Sequence, residues 1–158
     1  MNLIIFKSLN DLFAIDATNV TKVLRILSLQ LLPRQPKFIE GFFQYDGMQV
    51  PVFDFRRRFL LETTKVNLQQ RIILFSVDQM LLGLIVDDVI EHLIDYQGKR
   101  KPISGDKLGI VLQYAKHLLD YNGLNIPLVD KESAFTKEAL TELETFMVKR
   151  KKTNAKSG

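Results

Sequence analysis

Two isolated histidines, a run of three arginines and one adjacent pair of aspartates are the side chains in this 158-residue sequence that invite a chemical reading. His92 and His117 stand apart, neither with a second histidine at ligand spacing, and the chain contains no cysteine. That removes thiol nucleophiles, disulfides and every thiolate metal site. The two histidines therefore read as structural. Asp87-Asp88 could attract a cation, but the apolar run beside it favours the start of a short helical turn, where carboxylates suit the positive helix end. No glycine-rich phosphate loop, nucleophile signature or paired-carboxylate motif occurs. These residues predict a binding protein with no catalytic centre, no cofactor and no metal.

Positive charge raises one alternative. Arg56-Arg57-Arg58 and Lys99-Arg100-Lys101 are basic clusters, and Tyr45 and Tyr121 stand beside turns where they could stack on bases. Small barrels do bind single strands with such combinations. The net charge of +4, however, has its origin in the last ten residues, where Lys149, Arg150, Lys151, Lys152 and Lys156 meet no acid. Without those five, the basic residues no longer outnumber the 18 acids. A nucleic-acid binder carries its basic surface on the folded body. The clusters read as solvated loops, and no nucleic-acid partner is expected.

The elements that must position any site are mostly strands. Leu3 to Leu9 and Leu12 to Ile15 flank a turn at Asn10-Asp11. Asp46-Gly47, Asp78-Gln79 and Asn122-Gly123 each separate two β-prone runs, and Asp-Gly or Asn-Gly there favours a tight hairpin. Pro51 is expected at an edge or bulge, since proline cannot donate to a ladder. Val20, Val23 and Leu24 fall at i, i+3 and i+4, which predicts a helical turn over Asp16 to Val23, with a second over Asp87 to Leu93. Pro33-Arg34-Gln35-Pro36 is a breaker. Leu61 to Gln70 and Tyr96 to Lys107 read as a polar connector and a charged loop, and Leu108 to Leu119 as a strand. Thr136 is placed to cap a final helix over 136–148 with Leu140, Leu143 and Met147 on one face. Residues 149–158 are expected to form a basic, flexible tail. The N-terminus lacks the basic and apolar regions of a secretory signal, and the longest apolar run, Met80 to Val86, is too short to span a bilayer.

The sequence also repeats itself. Tyr45 to Asp54 aligns without gaps on Tyr121 to Asp130, with the tyrosine, glycine, proline and aspartate identical. Phe6 to Leu24 aligns on Phe75 to Leu93 at an offset of 69, whereas the first match has an offset of 76. The second copy therefore holds about seven extra residues, expected in the charged loop near Lys99. A shared turn explains a glycine, but not one Gly-x-x-x-Pro-x-x-Asp frame used twice in the same order. Duplication gives a first copy over about 3–68 and a second over about 69–135. Each is too small to close a good core alone, and two packed copies would leave a groove suited to a ligand.

Three segments resemble the CheW-like chemotaxis coupling proteins. Gly41 to Phe59 is similar to that family's central signature: a glycine, an Asn-Leu-Arg-Gly turn, an apolar-Pro-apolar-apolar-Asp strand and an Arg-x-Arg-Phe exit. Ala14-Ile15-Asp16 with Val20 and Val23 resembles its first-helix segment, and Gly83 to Val89 its second-half signature. The likeness covers roughly residues 3–135. It implies a mostly β fold of two small five-stranded SH3- or OB-like barrels in a pseudo-twofold arrangement, with short helices and a C-terminal helix. It also implies a cytoplasmic, non-enzymatic adaptor that links chemoreceptor cytoplasmic tips to the regulatory domain of a CheA-type histidine kinase at receptor arrays, without inserting into the membrane. Lys22, Leu24, Gln44, Tyr45, Asp46 and Met48 would then form the partner surface. Gly41, Gly47, Pro51, Asp54, Gly123, Pro127 and Asp130 would be structural turn residues.

Two departures carry information. Asp46 stands where the family has arginine, and Lys22 where it has glutamate. Both reverse the charge. Two independent losses would explain this, as would a reciprocal swap of a contacting pair. The swap is favoured, because charge complementarity tunes partner choice. It predicts Lys22 and Asp46 within salt-bridge reach.

Overall fold

The computed structural model describes residues 1–60, 67–103 and 113–157, with side chains as far as Lys151. Its strands are β1 (Leu3–Ser8), β2 (Asp11–Asp16), β3 (Val20–Arg25), β4 (Gly41–Tyr45), β5 (Met48–Asp54), β6 (Arg71–Val77), β7 (Met80–Val86), β8 (Asp88–Leu93), β9 (Arg100–Pro102), β10 (Ala115–Tyr121) and β11 (Leu124–Val129). Two helices follow, α1 (Lys131–Ala134) and α2 (Lys137–Ser157). The strands form a five-stranded sheet, β3-β6-β7-β5-β4, and a six-stranded one, β8-β1-β2-β11-β10-β9. The mostly β, two-unit fold class is as expected, with β9 as the additional strand.

The hairpins form because their turn residues accept left-handed backbone. Asp46 and Gly47 have φ of 48° and 76°, Asn122 and Gly123 of 50° and 85°, and Asp78 and Gln79 of 49° and 67°. Consecutive positive φ values match the twist of the flanking strands. Tyr45 to Asp54 and Tyr121 to Asp130 thus follow the same strand-turn-strand path.

The duplication is built into both sheets, but not as two separate units. Exchanging β3 for β8, β6 for β1, β7 for β2, β5 for β11 and β4 for β10 turns one strand order into the other. Parallel pairing of Val52 with Gly83 and Phe53 with Leu84 is repeated as Leu128 with Ala14 and Val129 with Ile15. Each sheet therefore takes strands from both sequence copies. Gln30 bridges Phe42 much as Lys101 pairs with Leu118, so most of the second copy's extra length lies after β9.

Packing follows the same rule. Leu3, Ile5, Ala14, Leu119, Ile126 and Leu128 fill the six-stranded unit. Their repeat equivalents Ile72, Leu74, Phe43, Val50 and Val52 fill the other, with Gly83 in place of Ala14. Alternation sends the opposite faces of these strands into a larger shared core. There Phe55 lies 5.1 Å from Phe6, 4.8 Å from Phe13 and 5.4 Å from Tyr114 between ring centroids. Phe135 stacks edge-on against Phe53 at 4.8 Å and meets Phe75 at 5.3 Å. The two units thus meet across a packed aromatic core where the duplication predicted an open groove. The area each copy cannot bury alone is buried against the other.

Further expectations are revised or fall partly outside the described residues. Only Ala17–Asn19 is helical in the segment predicted as a first turn, and Val20–Arg25 is strand. Asp88–Leu93 is likewise strand. The reason is a β-bulge. In β3 the register jumps between Val20 and Lys22, leaving Thr21 extra. In β8 the jump leaves Ile90 extra. An inserted residue breaks strict alternation and gives apolar spacings that mimic a helix. Pro51 lies on an interior strand, yet the parallel ladder to β7 starts one residue later at Val52, so no donor is required of it there. Of the strand expected over Leu108 to Leu119, residues 108–112 lie outside the described set, and β10 begins at Ala115. Finally, α2 does not end at Val148. It is capped by Thr136, whose Oγ1 accepts the Ala139 N–H at 3.3 Å, and stays helical to Ser157. Lysine, arginine and alanine are strong helix formers, and cations suit the negative helix end.

Candidate partner-binding surface

The expected partner residues come from opposite edges of the five-stranded sheet. Lys22 and Leu24 lie on β3, Gln44 and Tyr45 at the end of β4, Asp46 in the turn and Met48 at the start of β5. Leu24 and Tyr45 both pack on the same small core from the two edges. Both side chains are half-buried, and Lys22, Gln44 and Asp46 are exposed. Met48 is 52% exposed, a large thioether left in water at the tip. Flexible, polarizable methionine surfaces suit protein contacts.

The repeat equivalents show how such an edge closes. In the other unit Glu91, Leu93, Tyr121 and Leu124 take the places of Lys22, Leu24, Tyr45 and Met48. The Tyr121 hydroxyl donates to Glu91 Oε2 at 2.5 Å, and this bond, with burial and the carboxylate's charge, pushes the phenol pKa up. Among the described residues the first unit has no such tie. Lys22 is itself a donor, and among the described residues no ion pair joins it to Asp46. The reciprocal-swap expectation is therefore not met. Asp46 is accounted for by its turn, where aspartate tolerates left-handed φ.

The structural turn residues have direct physical roles. A Cβ on Gly41 would lie 2.8 Å from the Leu29 Cβ and 3.0 Å from the Gln30 carbonyl oxygen, so only glycine lets this edge strand meet the Leu29-Gln30 segment. Gly47 and Gly123 supply positive φ, and Pro127 repeats the placement of Pro51. Asp54 is buried and accepts the Arg56 N–H at 2.9 Å. Asp130 caps α1 through Ser133 and pairs with Lys116 at 3.4 Å. Burial pushes the Asp130 carboxyl up, but the Ser133 hydroxyl and N–H, with Lys116, bring it net below the usual range.

The arginine run is occupied internally. Arg56 pairs with Asp87 at 2.6 Å, Arg57 pairs with Glu40, and Arg58 stacks over Phe38, Phe53 and Phe59. Asp87 does not open a helix. It accepts the Leu9 N–H at 2.5 Å while holding Arg56, and so links the β1–β2 turn, the end of β7 and the exit of β5. No sequence signal isolates this lock, because its members are far apart in the chain. His92 is exposed on β8 and His117 lies on β10. Among the described residues no group of three or more His, Cys, Asp or Glu could hold a metal ion, and no helix is long and apolar enough to cross a membrane.

Comparison with known proteins agrees with this geometry. A family model described as CheW-like domain matches residues 2–111. The chemotaxis protein CheW of Rhizobium meliloti is 24% identical over 136 residues, covering 86% of this chain and 88% of that protein. That of Klebsiella aerogenes is 23% identical over 137 residues, covering 87% and 82%. The crystal structure of the scaffolding protein TtCheW from Thermoanaerobacter tengcongensis superposes with a TM-score of 0.75 at 23% identity, over 87% of this chain and 94% of that one.

Proposed function

The chain belongs to the CheW-like domain family, and from that premise we propose that it is a non-enzymatic adaptor of a bacterial chemosensory array. It couples chemoreceptor cytoplasmic tips to the regulatory domain of a CheA-type histidine kinase. It works in the cytoplasm and joins the membrane-associated array through these contacts. The observation that carries the reading is the sheet-edge patch, where Leu24 and Tyr45 share one core beneath exposed Met48, Asp46, Gln44 and Lys22. An apolar anchor inside a polar rim is the anatomy of a protein-binding surface. The absence of a salt bridge between Lys22 and Asp46 leaves both charges free to select a partner of its own charge pattern. Titration calorimetry with a kinase regulatory domain tests the proposal. Met48→Glu, Lys22→Glu and Asp46→Arg are expected to weaken binding while thermal unfolding stays unchanged. Wild-type affinity in all three variants would refute the assignment of this surface.

A further inference from the structure

Arg58 has more positive charge than its surroundings use. Its guanidinium lies 5.1 Å from the Phe38 ring centroid, 5.6 Å from Phe59 and 5.9 Å from Phe53. Its Nε is fully buried without a hydrogen-bond partner. Among the described residues no carboxylate pairs with it. Burial alone pushes its pKa down, with no opposing charge to restore it. The side chain as a whole is half-buried, and stacking on aromatic faces offsets only part of its desolvation.

The same side chain lines a cleft of about 350 Å³ together with Phe59, Gln113, Ser133, Ala134 and Thr136. Its polar wall offers the Gln113 amide and the Thr136 hydroxyl, and none of its described lining residues is acidic. Thr136 is the residue that caps α2, so the positive end of this 21-residue helix lies at the cleft. The Ser133 hydroxyl and N–H both donate to Asp130, at 2.5 Å and 3.1 Å, so Ser133 shapes the wall without offering a donor. The planar guanidinium fork is the group best matched to a two-oxygen acceptor.

We infer that the cleft between Arg58 and the start of α2 is a binding site for a small oxyanion, either a phosphate or a carboxylate group. It lies on the α2 side of the molecule, is built from none of the sheet-edge residues assigned to partner binding, and gives the adaptor a means of sensing a small acidic ligand or an acidic terminus.

Backbone and arginine Nε resonances of the full chain are followed by NMR during titration with inorganic phosphate and, separately, with acetate, against sodium chloride at matched ionic strength. The expected result is a saturable shift at Arg58 Nε, Gln113, Ser133 and Thr136 with at least one of the two. Saturation by phosphate identifies a phosphate site and saturation by acetate alone a carboxylate site. Arg58→Met, which keeps the stem over the rings, should weaken binding by about tenfold or more, as expected for loss of a charge-assisted pair. Arg58→Lys should fall between the two. Non-saturating shifts with both anions, or shifts confined to residues 149–157 and equal in Arg58→Met, would overturn the site. The wild-type titration decides the matter even if a variant fails to fold.

Discussion

Removing the Asp87 carboxylate should destabilise the protein more than any other single polar change on its surface. Asp87, at the end of β7, is held by two other segments. It accepts the Leu9 N–H at 2.5 Å, the Arg56 Nε–H at 2.7 Å and the Arg56 Nη2–H at 2.6 Å. Side-chain exposure is 11% for Asp87 and 23% for Arg56, so water replaces these bonds poorly. Leu9 also sits at a φ of 55°, a conformation that leucine tolerates only when it is held. A hydrogen bond to a charged group contributes about 1.5–3 kcal/mol. Partial exposure of Arg56 discounts its share. Asp87→Ala should then cost about 3 kcal/mol, and Arg56→Met about 2 kcal/mol, since Leu9 keeps its acceptor in the second case. Because the pair acts as one unit, the double variant should cost about as much as Asp87→Ala alone. Urea denaturation of the four proteins at constant m-value measures the cycle. Additive losses, or a loss below about 1 kcal/mol for Asp87→Ala, would show that the lock does not hold the three elements together.

Other consequences are equally specific. Gly83→Ala should cost about 1–2 kcal/mol by calorimetry, because the new Cβ meets Ile72 Cγ2 at 3.0 Å and Val52 Cγ2 at 3.2 Å in a filled core. Gly47→Ala has open space around it, so its cost of about 1 kcal/mol comes only from the φ of 76° and should appear without any change in core NMR shifts. The Asp130 carboxyl has a folded-state pKa below its ordinary value, so the stability it supplies is present above the usual carboxylate range and is lost only as pH falls through the lowered value. Ser133→Ala should move that loss to higher pH in a carboxyl-resolved NMR titration. Truncation after Val148 should change unfolding free energy by no more than about 0.5 kcal/mol, because the buried contacts of α2 come from Leu140, Leu143, Phe146 and Met147.

Much of this was legible from turn chemistry and repetition. Asp46-Gly47 and Asn122-Gly123 located their hairpins because few residue pairs accept two positive φ values, and the shared Pro-x-x-Asp frame exposed the duplication. Two things escaped. Bulges at Thr21 and Ile90 shift the period of β3 and β8, so Val20, Val23 and Leu24 carry a helical spacing on a strand. The interleaving of copies escaped because parallel pairing of β5 with β7 and of β11 with β2 is a long-range choice without local signature. The candidate patch was visible residue by residue through the family's pattern. The missing Lys22–Asp46 bridge, the Asp87 lock and the Arg58 cleft depend on side chains brought together only by folding.

The central claim is that this chain bridges two partners. Sedimentation velocity on a mixture of receptor-tip fragment, kinase regulatory domain and this protein tests it most directly. The account predicts a species containing all three that disappears when the chain is omitted and is depleted by Met48→Glu. Independent sedimentation of the three components at concentrations where family members assemble would contradict it.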